Sequence, residues 1–132
     1  MVVLNTLFFS VESALNVHDD LIRTYGGTKG VRDEKLLLSA LAQVQASFGG
    51  QDLHPTVYDK GAAYLFFVVQ NHPFVDGNKR TGTVLAALFL SLNGIELSCD
   101  EKALDPFVFR VASGKETKET IAHWLKQNTR SI

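Results

Sequence analysis

Residues 84–90 read Val-Leu-Ala-Ala-Leu-Phe-Leu, a run with no polar face. A helix made of them has nothing to offer water, so it is expected to be the central, buried helix, and the chain must supply enough other helices to cover it. Upstream lies a second apolar run, 64–69, and between the two sits Asn71-His-Pro-Phe-Val-Asp-Gly-Asn-Lys-Arg-Thr-Gly82. The first run must stop near His72, because Pro73 disfavours helical backbone in the residue before it and cannot donate a helix hydrogen bond. Asp76-Gly77-Asn78 is turn chemistry, since Gly accepts positive φ and Asp and Asn tolerate turns. A new helix then starts near Asn78, and a chemically dense loop sits at the junction.

That loop combines several functional groups. The turn falls on a helix N-terminus, where unpaired amides and the helix dipole favour an anion. Lys79 and Arg80 add two cations to the same first turn, where the dipole disfavours positive charge unless something negative binds nearby. The expected ligand is a phosphate. Asp76 has a different role: magnesium commonly takes one or two protein carboxylates and completes its octahedron with phosphate oxygens and water. His72 carries an imidazole whose ordinary pKa lies near neutrality, the usual group for taking a proton from a hydroxyl nucleophile. Base, Mg2+ anchor, anion nest and cations together point to phosphate-ester transfer.

Composition excludes whole classes. With 132 residues and 45% hydrophobic content, the chain can bury a core without disulfides or structural metal. The 13 basic and 14 acidic residues leave a net charge of −1, so no nucleic-acid footprint is expected. Cys99, the single cysteine, excludes an internal disulfide, is compatible with a reducing cytosol, and lacks a catalytic Cys signature around it. The N-terminus is apolar but has no basic start and is interrupted by Asn5 and Thr6, so neither a signal peptide nor a membrane span is expected.

The spacing of Val11, Leu15, His18, Ile22 and Tyr25 predicts a first helix from Ser10, ended by Gly26-Gly27. His18 lies on its apolar face without a metal-spaced carboxylate or cysteine, which favours a hydrogen-bonded core histidine. The glycine-rich segment 26–33 lacks a P-loop pattern and reads as a turn that delivers Asp33 as the next N-cap. Arg32 suits an ion pair at least as well as an active-site role and stays outside the candidate site. A second helix is predicted over about 34–48, closed by Gly49-Gly50. The third opens on the capping pair Thr56 and Asp59, with Tyr58, Ala62, Leu65, Phe66 and Val69 on its core face. His54 reads as a surface-loop residue, Phe74 as an anchor tying the loop to the core, and Gly82 as a point of close helix packing. The fourth helix ends at Asn93-Gly94. The fifth starts at Ser98 with a bend or at Asp105, because Pro106 suits a first turn better than a middle. The sixth covers about 116–127, with Ile121, Trp124 and Leu125 inward and His123 exposed. Segments 95–97 and 2–4 are at most short extended pieces. The expected fold is an all-α, single-domain bundle of about six helices over residues 1–132, with the site between helices three and four.

His72-Pro-Phe-Val-Asp-Gly-Asn-Lys-Arg80 resembles the signature of the Fic superfamily, whose commoner form reads His-Pro-Phe-x-Asp/Glu-Gly-Asn-Gly-Arg-x-x-Arg. Lys79 stands where most members have the second Gly and Thr83 where they have a second Arg. Both departures are the pattern of the death-on-curing (Doc) branch, the toxins of type II toxin–antitoxin modules. The similarity continues through residues 25–33 and 36–50 and the Trp124-Leu125 ending, and a match of this composition is specific. The resemblance implies a Fic/Doc fold that uses ATP, with His72 as base, Asp76 holding magnesium, and Gly77, Asn78 and Arg80 on phosphates. For the Doc branch it further implies that Lys79 reverses the nucleotide, so that the γ-phosphate faces the acceptor. The chain would then be a protein kinase toxin that phosphorylates a threonine of elongation factor Tu and halts translation. A Lys side chain does fill the space a Gly leaves for a phosphate and adds a charge, but that alone does not select the phosphate attacked. The alternatives are an ordinary Fic AMP transferase and a non-catalytic interaction module. The sequence contains no Ser/Thr-x-x-x-Glu-Gly/Asn, the self-inhibitory pattern of many Fic proteins. The resemblance therefore implies an antitoxin in trans, whose disordered tail folds as a helix onto this bundle. The free toxin is expected to be a cytoplasmic monomer.

Overall fold

The computed structural model describes residues 6–132. Six helices follow in chain order: α1 (Val11–Tyr25), α2 (Glu34–Val44), α3 (Val57–Asn71), α4 (Asn78–Leu92), α5 (Glu101–Ala112) and α6 (Lys118–Gln127). Four short strands accompany them, β1 (Ser47–Phe48), β2 (Gln51–Asp52), β3 (Ile95–Leu97) and β4 (Thr129–Ser131). The all-α reading holds, and the extended piece expected at 2–4 lies outside the described residues.

Most helices begin on a side-chain cap. Ser10, Asp33 and Asp100 each accept the backbone amide three residues on, while Thr56 with Asp59 and Thr117 with Thr120 form reciprocal capping boxes. The exception is α4, which starts from Gly77 in a left-handed conformation with no side-chain cap and no acidic residue in its first turn. Its leading amides are therefore free for something else.

The hub of the bundle is α3 rather than α4. α3 packs against α2, α4, α5 and α6 and buries Ala62, Ala63, Tyr64, Leu65, Val68 and Val69. α4 buries Leu85, Ala86, Phe89 and Leu90 but leaves Leu88 and Leu92 exposed by 40% and 48%. Apolar composition could not distinguish the two, because which helix lies in the middle depends on how many neighbours reach it. α3 carries the small residues Gly61, Ala62 and Ala63, which let other helices approach closely. Gly82 does the same on α4, where a Cβ would lie 2.9 Å from Val69 Cγ2. The close packing expected there is borne out.

Three local expectations fail for physical reasons, and one short strand goes unseen in the sequence. α2 stops at Val44, and Gly49-Gly50 forms the tip of a β1–β2 hairpin pairing Ser47 with Asp52 and Phe48 with Gln51. Both glycines have positive φ, which suits a hairpin turn as well as a helix cap, and Phe48 ends up 83% exposed. His54 is buried, edge-on to Phe67, and its carbonyl accepts from the buried Lys60 ammonium that also reaches Asp52. Burial first, and Lys118 second, lower its pKa. α5 starts at Glu101 and runs through Pro106, whose missing N–H falls on an exposed stretch where water can serve the Lys102 carbonyl. Last, β4 pairs antiparallel with β3 through Glu96 opposite Arg130, a partner too short and too distant for periodicity to show.

Tyr64 gives the core a titratable signature. Its ring is 1% exposed, and burial pushes its pKa from 10.0 up to about 12. The folded state holds this proton longer than the unfolded state does. The stability it contributes is therefore fully present below pH 10.0 and lost as pH rises toward about 12. Urea midpoints followed by Trp124 fluorescence are expected to fall through that window, and a Tyr64→Phe variant is expected to show a shallower alkaline decline.

Candidate active site

The loop from His72 to Gly77 is held by contacts on every side. His72 caps α3 with φ 49° and ψ 54°, the one non-glycine residue at positive φ among the described residues. That conformation costs about 1–2 kcal/mol for a residue with a Cβ. Arg32 offsets the cost: its Nε donates to the His72 carbonyl at 2.7 Å and its Nη2 to the Asn71 carbonyl at 2.9 Å. The backbone amides of Arg32 and Asp33 both donate to the Pro73 carbonyl, at 2.7 and 3.0 Å. Arg32 is thus neither the ion-pair residue expected nor a ligand group, but a cap on the C-terminus of α3.

Phe74 is the anchor expected. It is fully buried and stacks on His18 with ring centroids 3.8 Å apart and planes 6° from parallel. His18 is the hydrogen-bonded core histidine expected, with Nε2 donating to the Asp76 carbonyl at 2.8 Å. Asn78 closes the loop from the other side: its Oδ1 accepts from Phe74 N–H at 2.9 Å and its Nδ2 donates to the Phe74 carbonyl at 3.0 Å. These two bonds fix which end of the amide faces His72, so Nδ2 donates to His72 Nδ1 at 3.2 Å. In neutral His72 the proton then sits on Nε2, and the basic lone pair is the one turned toward Asn78. The Asn78 side chain points inward, so only its backbone is available to a phosphate.

Asp76 is held by amides. Oδ2 accepts from Thr28 N–H at 3.0 Å and Oδ1 from Gly77 N–H at 2.8 Å. These bonds, Thr28 first, hold its carboxyl below the usual carboxylate range. The approach requires glycine at position 27, where φ is 120° and a Cβ would lie 2.8 Å from Asp76 Oδ2. The segment 26–33 is therefore more than a turn. It also runs beside the loop through a Val31–Phe74 bridge and a Val75 N–H to Gly30 carbonyl bond of 3.0 Å.

The first backbone bond of α4 runs from Thr81 N–H to the Gly77 carbonyl, 2.9 Å. The amides of Asn78, Lys79 and Arg80 ahead of it are the orphan donors of a helix start. Lys79 and Arg80 are exposed, and among the described residues neither forms an ion pair. All six candidate residues, His72, Asp76, Gly77, Asn78, Lys79 and Arg80, line one cavity of about 730 Å³, whose other lining comes largely from α1 and α5 and mixes apolar side chains with the carboxylates of Glu101 and Asp105. Among the described residues no cluster of three or more His, Cys, Asp or Glu could hold a metal by itself. The donor set still fits magnesium bound together with a polyphosphate, because each Asp76 oxygen accepts one amide and keeps a lone pair.

The profile of the Fic/DOC family matches residues 8–90. The chain belongs to the Fic/DOC family. This member is 46% identical over 76 residues to "Toxin Doc" of Mycolicibacterium smegmatis, an alignment covering 58% of this chain and 58% of that relative's length. It is 30% identical over 118 residues to "Protein kinase doc" of Escherichia phage P1, covering 89% of this chain and 92% of that relative.

Sequence reasoning missed Thr28 and Arg32 as supports of the site. Their only signal was an unusual density of glycine at 26, 27 and 30, which announces a close approach without naming the partner. Arg32→Ala is expected to lower unfolding free energy by about 1 kcal/mol, the usual worth of a lost hydrogen bond at an exposed site. It should also shift the backbone amide resonances of residues 71–74. Arg32→Lys, which cannot span both carbonyls, is expected to restore only part of either effect.

Proposed function

We propose that this Fic/DOC protein is the toxin of a toxin–antitoxin module and a Mg-ATP-dependent protein kinase, residues 1–132 acting as one domain. The observation that carries the reading is the open start of α4. Its orphan amides and two exposed cations face the same cavity as the imidazole of His72 and the carboxylate of Asp76. The relatives named "Toxin Doc" and "Protein kinase doc" support it.

In this reading a target hydroxyl lies beside His72. The exposed ring turns out of its 3.2 Å contact with Asn78, a long bond and so a cheap one to leave, and Nδ1 takes the hydroxyl proton. The freed oxygen attacks the terminal phosphoryl group, the bond to the bridging oxygen breaks, and ADP leaves. Lys79, Arg80 and the amides of the first α4 turn bind the phosphate oxygens and stabilise the charge spread over them. Magnesium held by Asp76 would neutralise charge across the phosphates. Lys79 occupies the space that a glycine would leave for a phosphate; that this favours γ-transfer is taken from the likeness to the relative named "Protein kinase doc". The target we propose is a threonine of elongation factor Tu, with translation arrest as the result, in a cytoplasmic monomer. The same arrest calls for a cognate antitoxin whose disordered tail folds on binding.

The test is label transfer from magnesium ATP to purified elongation factor Tu, with γ-labelled and α-labelled nucleotide in parallel. Label from the γ position alone is expected, reduced about 10²- to 10⁴-fold in His72→Ala, the usual worth of a positioned base. Label from the α position would make the protein an AMP transferase. Full toxicity of His72→Ala on expression would overturn the catalytic reading altogether. In Lys79→Gly the ratio of α to γ transfer is expected to rise; an unchanged ratio removes Lys79 from the choice of phosphate.

A further inference from the structure

Lys79 and Arg80 are adjacent cations in the first turn of a helix whose dipole opposes them. That turn contains no acidic residue, and among the described residues neither side chain meets a carboxylate. Asp76, the acid of the same loop, has both oxygens on backbone amides instead. Each cation lies over an aromatic ring. Arg80 sits 4.2 Å from the ring centroid of Tyr25, the last residue of α1, and Lys79 sits 5.7 Å from that of Phe109 on α5. Both rings are 62% exposed, large apolar surfaces whose exposure packing does not explain.

We propose that Tyr25 is a positioning residue that holds Arg80 in place with its N–H groups free to donate to an incoming polyphosphate, with Phe109 serving Lys79 in the same way. The inference rests on the phosphate reading of the site. A cation over a ring is held by the ring's quadrupole, which consumes no hydrogen-bond donor and leaves the charge intact. A carboxylate in the same place would take up two guanidinium N–H groups and cancel the charge the ligand needs. The two rings belong to different helices, Tyr25 to α1 and Phe109 to α5, and both line the cavity, so each cation is held by a separate element before any ligand arrives. Asp76 and the cations thus form no direct ion pair among the described residues: backbone amides occupy the acid and ring faces occupy the bases.

The test uses calorimetric binding of inorganic tripolyphosphate to the full chain, without magnesium or target, so that no chemistry is involved. Tyr25→Phe, which keeps the ring face, is expected to bind like the parent. Tyr25→Leu, which keeps apolar bulk but has no ring, is expected to bind about two- to fivefold more weakly. In an Arg80→Ala background the Leu substitution is expected to add nothing. The ring-current shift of the Arg80 Hδ protons, measured by NMR, reports the pairing independently of binding. Parent-like binding by Tyr25→Leu overturns the inference alone, as does an equal loss in the Arg80→Ala background. A loss in Tyr25→Phe overturns it as well, because the hydroxyl rather than the ring face would then be the active part. A parent chain that shows the ring-current shift but does not bind tripolyphosphate removes the phosphate reading, and this inference with it.

Discussion

One buried carboxamide organises the site. Asn78 satisfies both the N–H and the C=O of Phe74 and then has one N–H left for His72. Leaving those backbone groups unpaired in the interior would cost about 1–3 kcal/mol each. The loop therefore has one arrangement in which its polar groups are satisfied, and in that arrangement the Phe74 ring points into the core against His18. The Asp76 carbonyl, the left-handed turn at Gly77 and the uncapped start of α4 follow from it, because each is fixed to a neighbour already held.

The rigidity has an electrostatic purpose. In most proteins a carboxylate and two cations within one turn of chain would pair with one another. Here the α1–α2 connection supplies the Thr28 amide to Asp76 and a guanidinium fork to the end of α3, so charge and strain are managed in part by a segment far away in sequence. The His72 imidazole, left exposed, is the part of the loop free to turn. In the proposed reading, uncapped amides and cations beside one movable imidazole suit phosphoryl transfer, where positioning and charge stabilisation contribute more than covalent participation by the protein.

The features legible in the sequence were those in which cause and effect lie within a few residues. Pro73 ends α3, Thr56 with Asp59 opens it, Asp33 caps α2, and the six candidate residues share one cavity because they occupy one loop and one helical turn. What misled was local chemistry with two uses. Gly49-Gly50 served a hairpin instead of a helix cap, and Pro106 sat inside a helix because that stretch of α5 faces water. His54 had no visible partner in sequence because its surroundings, Phe67, Lys60 and Lys118, come from the facing sides of α3 and α6.

The sequence by itself determined an all-α chain broken at His72-Pro73, with an uncapped helix start and an imidazole, a carboxylate and two cations beside it. Turn and helix preferences act over one to four residues, and those residues were all present in one stretch. Tertiary structure alone decided that α3 is the hub, that Thr28 and Arg32 support the site across more than 35 residues of chain, and that Tyr25 and Phe109 receive the two cations. Those outcomes depend on which surfaces meet when the helices pack, and no periodicity within a single segment encodes a neighbour it has not yet met.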